Sequence, residues 1–144
     1  MMSKMIFVNL PVTDLARSIA FYQAVGATRD DRFADETAQC MVFSDTIHVM
    51  LLTHAKFSQF TTKQIPDAHK TAQALLCLSE DSRAALDETM EKALNAGGQE
   101  PRAVQDYGMM YSRAFEDPDG HIWELMWMDL EAFLAAPPPA EIPA

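Results

Sequence analysis

The chain has 144 residues, of which 49% are apolar, and 11 basic against 21 acidic side chains give a formal net charge of −10. Such a length suits one compact unit with a real core, and such a composition excludes a disordered chain. The negative charge repels phosphate backbones and anionic lipid, which argues against nucleic acid or a membrane surface as a partner.

The run at 5–12 (MIFVNLPV) reads as a strand with Pro11 near its end. Thr13 or Asp14 is then a good N-cap for LARSIAFYQAV, where Leu15, Ile19 and Tyr22 recur at helical spacing and Phe21 and Val25 widen the stripe. Gly26 stops the helix. TRDDRF, AQCMVF and IHVMLL follow as three strands, the last two joined tightly at Ser44-Asp45. The opening residues hold no long apolar run with a small-residue cleavage site, and no window reaches the ~18 apolar residues of a membrane span. The expectation is a reducing, cytoplasmic location. Cys40 and Cys77 lie inside apolar runs, which predicts a buried, reduced pair acting as small hydrophobes.

Residues 54–71 show neither period and contain Pro66-Asp67, so they read as a connector that offers Phe57 and Phe60 for burial. The first pattern then returns. AQALLCL at 72–78 is a strand, and Asp81 or Ser82 caps RAALDETMEKALNA. Leu86, Met90, Ala93 and Leu94 form that helix's apolar face, Glu88 and Lys92 an i,i+4 pair, and Gly97-Gly98 its end. EPRAVQ, MMYSRAF and HIWELMWM are three further strand candidates, followed by a short helix at 130–136 and an extended Pro-rich tail at 137–144. The chain is thus a βαβββ unit used twice, at about 5–53 and 72–128, within one domain spanning 1–136. That is an α+β fold.

The last strand candidate poses a question. Ile122, Glu124 and Met126 share one of its faces and His121, Trp123, Leu125 and Trp127 the other, since side chains alternate. A carboxylate amid these apolar residues is costly unless it is paired, coordinated or wetted. A hairpin folded symmetrically about Pro118-Asp119 puts Arg113 opposite Glu124 and Tyr111 opposite Met126. Three readings follow: a cross-strand ion pair with Arg113, a metal ligand, or an acid lining a ligand pocket.

The repeated βαβββ pattern, the helix start VTDLARSIAFY and the ending EDPDGHIWEL together resemble the vicinal oxygen chelate superfamily. This is the glyoxalase, bleomycin-resistance and extradiol dioxygenase group, and the resemblance covers roughly residues 5–128. The variant FVNLPV…SDTIHVMLL…QDYGMMYSRAFEDPDGHIWE is similar to bacterial proteins catalogued as predicted lactoylglutathione lyases. The resemblance implies that the units form an open barrel-like, cavity-enclosing mixed sheet with helices outside, often completed in a homodimer. It also implies a divalent metal (Zn, Ni, Fe or Mn) held by four side chains, acting as Lewis acid on a small molecule while an acidic residue moves a proton.

Glu124 falls on the last-strand ligand position. The other positions carry Phe7, Leu51 and Ala74, or Gln73 if the register slips by one. Phe7 and Leu51 have no lone pair to donate. His48, by alternation, faces away from Leu51, and His121 away from Glu124; His54 and His69 sit in the connector. No HExxH, CxxC or phosphate-cradling glycine loop occurs.

The expected cavity is apolar, lined by Phe7, Leu51 and Met126 and by Phe57 or Phe60, with Asn9, Tyr111, Arg113 and Glu124 as directing polar groups. For any one of these apolar residues plain core packing is the competing reading. Two functions follow from the resemblance. One is a lactoylglutathione lyase-like lyase or isomerase with Glu124 as ligand or proton-transfer acid. The other is a metal-free protein that sequesters a small molecule, for which the acidic charge suits a cationic compound of the bleomycin type.

Overall fold

A computed structural model describes residues 3–135 of the chain. Two four-stranded mixed sheets, with strand orders β1-β4-β3-β2 and β5-β8-β7-β6, each follow the βαβββ plan. The first contains β1 (Ile6–Val12), β2 (Thr28–Asp35), β3 (Ala38–Ser44) and β4 (Ile47–Thr53), with α1 (Leu15–Ala24) after β1. The second contains β5 (Leu75–Ser79), β6 (Gln105–Asp106), β7 (Met110–Glu116) and β8 (Ile122–Met128), with α3 (Arg83–Asn95) after β5. In each unit the first strand runs parallel to the last and the other pairs are antiparallel. The sheets are curved and are not closed into a barrel. A one-turn helix, α2 (His54–Phe57), opens the connector, and α4 (Leu130–Ala135) ends the described part. The Pro-rich tail lies outside the described residues.

Local chemistry accounts for the helix ends. Asp14 Oδ1 accepts from the Arg17 amide at 3.1 Å and Ser82 Oγ from the Ala85 amide at 3.0 Å, so Asp14 and Ser82 are the N-caps. Thr53 caps α2 through the Lys56 amide, a helix that the aperiodic sequence did not announce. Two expectations shift. The strand expected at 72–78 forms at Leu75–Ser79, and EPRAVQ contributes only Gln105 to the two-residue β6, Pro101 lacking the N–H a ladder needs.

One core joins the units. Phe21 and Tyr22 of α1 and Leu86, Met90 and Ala93 of α3 pack with Val49, Leu51, Phe115, Trp123 and Leu125 from the helix-bearing faces of both sheets. Burying each large side chain contributes about 1.5–3 kcal/mol. Tyr22 and Trp123 meet edge to face at 6.0 Å, and Phe21 lies 5.7 Å from Phe115. What the halves share is therefore a packed interior on the helix side.

The Asp117–Gly120 turn ties the halves together. The buried Asp117 carboxylate accepts from Tyr22 Oη at 2.6 Å and from the amides of Asp119 and His121, both at 2.9 Å. Trp123 Nε1 donates to the same Tyr22 hydroxyl at 2.9 Å. Asp119 accepts from Thr13 Oγ1 and its amide, and Arg17 donates to the Pro118 carbonyl. Burial pushes the Asp117 carboxyl up, and His121 and the Tyr22 hydroxyl partly offset this.

The turn also corrects the register. Pro118, Asp119 and Gly120 form a three-residue loop with Gly120 at φ +91°, the geometry of a turn followed by a left-handed glycine. Ala114, not Arg113, is opposite Glu124, and Tyr111 is opposite Trp127, not Met126. A one-residue shift moves every side chain to the other face. Arg113 and Tyr111 therefore point to the helix side. There Arg113 makes a bidentate pair with Glu100, with both contacts at 2.9 Å, and reaches Asp87 at 3.0 Å. Tyr111 Oη donates to Asp87 at 2.7 Å.

Two outcomes are expected. Asp117→Ala strands the Tyr22 hydroxyl and two amides, and should lower the unfolding free energy by about 2–4 kcal/mol. In urea titrations Tyr22→Phe should cost less, and the double variant less than the sum of the two. Hydrogen bonds from Tyr111 and Arg113 hold Asp87 below its ordinary pKa, and Arg113 does the same for Glu100. Their contribution is complete above the ordinary carboxylate range, about pH 4–4.5, and is lost as pH falls through the lowered folded values. Unfolding free energies measured from pH 7 to 3 should fall less steeply in Arg113→Met than in the parent.

Candidate functional site

Among the described residues β1 pairs only with β4 and β5 only with β8, so each sheet ends in an edge strand, and the two edges do not pair with each other. The connector fills the gap between them. Its backbone rests on the turn: a Cβ on Gly120 would lie 2.6 Å from the His69 nitrogen and 2.7 Å from the Ala68 carbonyl carbon. His121 Nε2 bridges the gap by donating to the Pro11 carbonyl at 2.8 Å, and because a carbonyl only accepts, the proton sits on Nε2. A cavity of about 610 Å³ remains between β1, the start of β5 and β8, and the connector. That volume is within the usual range for small-molecule sites.

Val8, Leu10, Phe57, Leu76 and Ile122 supply its apolar wall. Asn9, Gln64 and Gln73 contribute amides, Thr61 and Thr71 hydroxyls, and Lys63 an ammonium. Of the residues expected as lining, Asn9 and Phe57 border this cavity, and Gln73, expected only as a possible metal ligand, borders it too. Phe60 is 69% exposed beneath the Lys56 ammonium. Leu51 is fully buried in the shared core, since β4 turns Val49 and Leu51 to the helices.

The parity of β4 keeps His48 opposite in facing to Leu51, as expected, but it is Leu51 that faces the core. With Leu51 in the core, His48 and Met50 lie on the open face, beside their β1 neighbours Phe7 and Asn9. The His48 ring stacks on Phe7 at 4.6 Å, it is 8% exposed, and its Nδ1 has no hydrogen-bond partner. The sequence carried a signal for this: a strand pairing that buries Leu51 necessarily turns His48 outward.

On the second sheet Glu124 and Met126 occupy the open face, opposite in facing to Trp123 and Leu125 in the core. Arg102, from the stretch preceding β6, donates to Glu124 Oε2 at 3.1 Å and to Ser112 Oγ at 2.9 Å. Glu124 is thus an ion-paired carboxylate, with a partner other than the expected Arg113. Cys77, its neighbour on β5, is exposed and not buried as expected. Partial burial and the Glu124 charge push its thiol up, which disfavours the thiolate.

The metal implied by the resemblance does not fit these residues. Phe7 and Leu51 offer no donor, Leu51 does not face the site, and Glu124 is engaged by Arg102. Among the described residues no group of three or more His, Cys, Asp or Glu is placed to hold an ion. No step is therefore assigned to a metal here.

The profile of the glyoxalase/bleomycin resistance protein/dioxygenase superfamily matches residues 4–125. The chain belongs to that superfamily. Solved structures share its fold. A hypothetical protein from S. aureus is 22% identical with a TM-score of 0.73, over 88% of this chain and 94% of that one. A glyoxalase/bleomycin resistance protein/dioxygenase family enzyme from Burkholderia phytofirmans is 18% identical with a TM-score of 0.72, over 88% and 99%. The fosfomycin resistance protein FosX from Mesorhizobium loti is 19% identical with a TM-score of 0.68, over 94% and 100%. No curated protein matches the chain. Among the described residues no helix is long and apolar enough to cross a membrane.

Gly120 is the position where the turn and the cavity wall meet. Gly120→Ala forces a side chain into a left-handed backbone and against the Ala68–His69 peptide, at a cost of about 1–3 kcal/mol. The backbone amide resonances of residues 66–74 should shift in that variant, while those of α1 stay in place.

Proposed function

We propose that this superfamily member is a metal-independent small-molecule-binding protein that holds its ligand in the cavity between β1 and β5. The observation that carries the reading is the cavity itself: ready-formed, largely apolar, and set among the described residues with the amides of Asn9, Gln64 and Gln73, the hydroxyls of Thr61 and Thr71 and the Lys63 ammonium. Sites of this composition bury most of a small ligand and orient it through a few polar groups. The lyase or isomerase reading requires Glu124 as a free acid or a metal ligand, and its pairing with Arg102 argues against both roles. Pairing of two copies is part of the proposal, supported by the exposed apolar side chains of Ile6, Phe7, Leu75 and Val104. Sedimentation equilibrium should return twice the chain mass.

Protein purified without chelator should carry well under one equivalent of Zn, Ni, Fe or Mn. It should not turn over the methylglyoxal–glutathione hemithioacetal. A ligand present at 100 times its Kd should stabilise the fold by about 2.7 kcal/mol, visible as a rise in Tm. Stoichiometric metal together with turnover would overturn the reading in favour of the lyase.

A further inference from the structure

The chain carries ten more acidic than basic groups, yet among the described residues no aspartate or glutamate lines the cavity. Its one lysine is Lys63, and that ammonium forms no ion pair among the described residues. Lys63 is solvent-exposed, so it stands at the rim, while the apolar wall of Leu10, Leu76 and Ile122 lies on the strands. Asn9 and Gln73 add amide donors on the two facing edges. An uncompensated ammonium beside a low-dielectric wall attracts an anion more strongly than it would in open water, and among the described residues a cation finds no carboxylate there.

From this arrangement we infer that the cavity selects an amphiphilic organic monoanion, its apolar body against β1 and β5 and its carboxylate-, sulfonate- or phosphonate-type head at Lys63. The inference rests on the binding role proposed for this cavity and goes beyond it by naming the ligand class. It also reverses the expectation that the overall acidic charge would favour a cationic compound. The excess negative charge lies outside the cavity, where it repels anions at long range but is screened beyond ~8–10 Å at ordinary salt.

A matched pair of fluorescent probes tests this. 8-Anilinonaphthalene-1-sulfonate and N-phenyl-1-naphthylamine share an aromatic body and differ in the sulfonate. The folded protein should bind the sulfonate more tightly. Lys63→Met should weaken the sulfonate by about 5- to 10-fold and leave the neutral amine within twofold, as expected for loss of one rim charge. Lys63→Glu should weaken the sulfonate further, and raising salt should weaken it alone. Ala74→Trp, which places an indole in the cavity, should weaken binding of both, with circular dichroism reporting its fold.

If both probes bind and neither responds to Lys63→Met, the anion inference falls while the binding role stands. If Ala74→Trp leaves the sulfonate's affinity unchanged, the sulfonate sits elsewhere and the inference falls. If neither probe binds the parent protein, the binding role falls, and the inference with it.

Discussion

A single buried carboxylate holds this molecule's two halves in register. Asp117 sits 3% exposed between the units, with the Tyr22 hydroxyl from the first unit and two amides of its own turn directed at it. Burying an ionisable group is unfavourable unless it is fully hydrogen-bonded, and here three donors converge on it. Two residues on, Asp119 receives the Thr13 amide and hydroxyl just before α1, where a negative charge also complements the helix dipole. The Asp-Pro-Asp-Gly segment works as a latch between the halves. Its chemistry is structural.

That latch sets up the rest. The three-residue loop fixes which residues of β7 face which residues of β8, and so which face each side chain takes. Arg113 and Tyr111 fasten α3 to β7 through Asp87, while Glu124 is left to Arg102 on the open face. Gly120 makes room for the connector to cross the turn, and the connector closes the space between two edge strands. Edge strands left open invite pairing with other chains, so a covering segment also protects the fold.

The charges are distributed unevenly. Acidic groups are paired with arginines around the sheets and along α3, as in Asp30 with Arg32, Asp106 with Arg83 and Glu100 with Arg113. The cavity keeps a lysine and amides but no carboxylate among the described residues. A net charge of −10 therefore says little about the ligand such a cavity prefers, because short-range complementarity decides binding once long-range fields are screened.

Hydrophobic period and end-capping residues were enough to read the duplicated βαβββ plan, both main helices, their N-caps to within one residue and the presence of a connector, since these depend on local chemistry. Asn9 and Phe57 were legible as lining residues from strand position and connector composition, and both border the cavity; Gln73 was legible only as a possible metal ligand. The facing of Leu51, Tyr111 and Arg113 was not, because one residue of hairpin register reverses a whole strand and neither alternating face of these strands is plainly polar. Arg102 as the partner of Glu124, and a cavity between strands that never pair, arise only when distant segments pack. No local pattern encodes such contacts, so tertiary structure alone decided them.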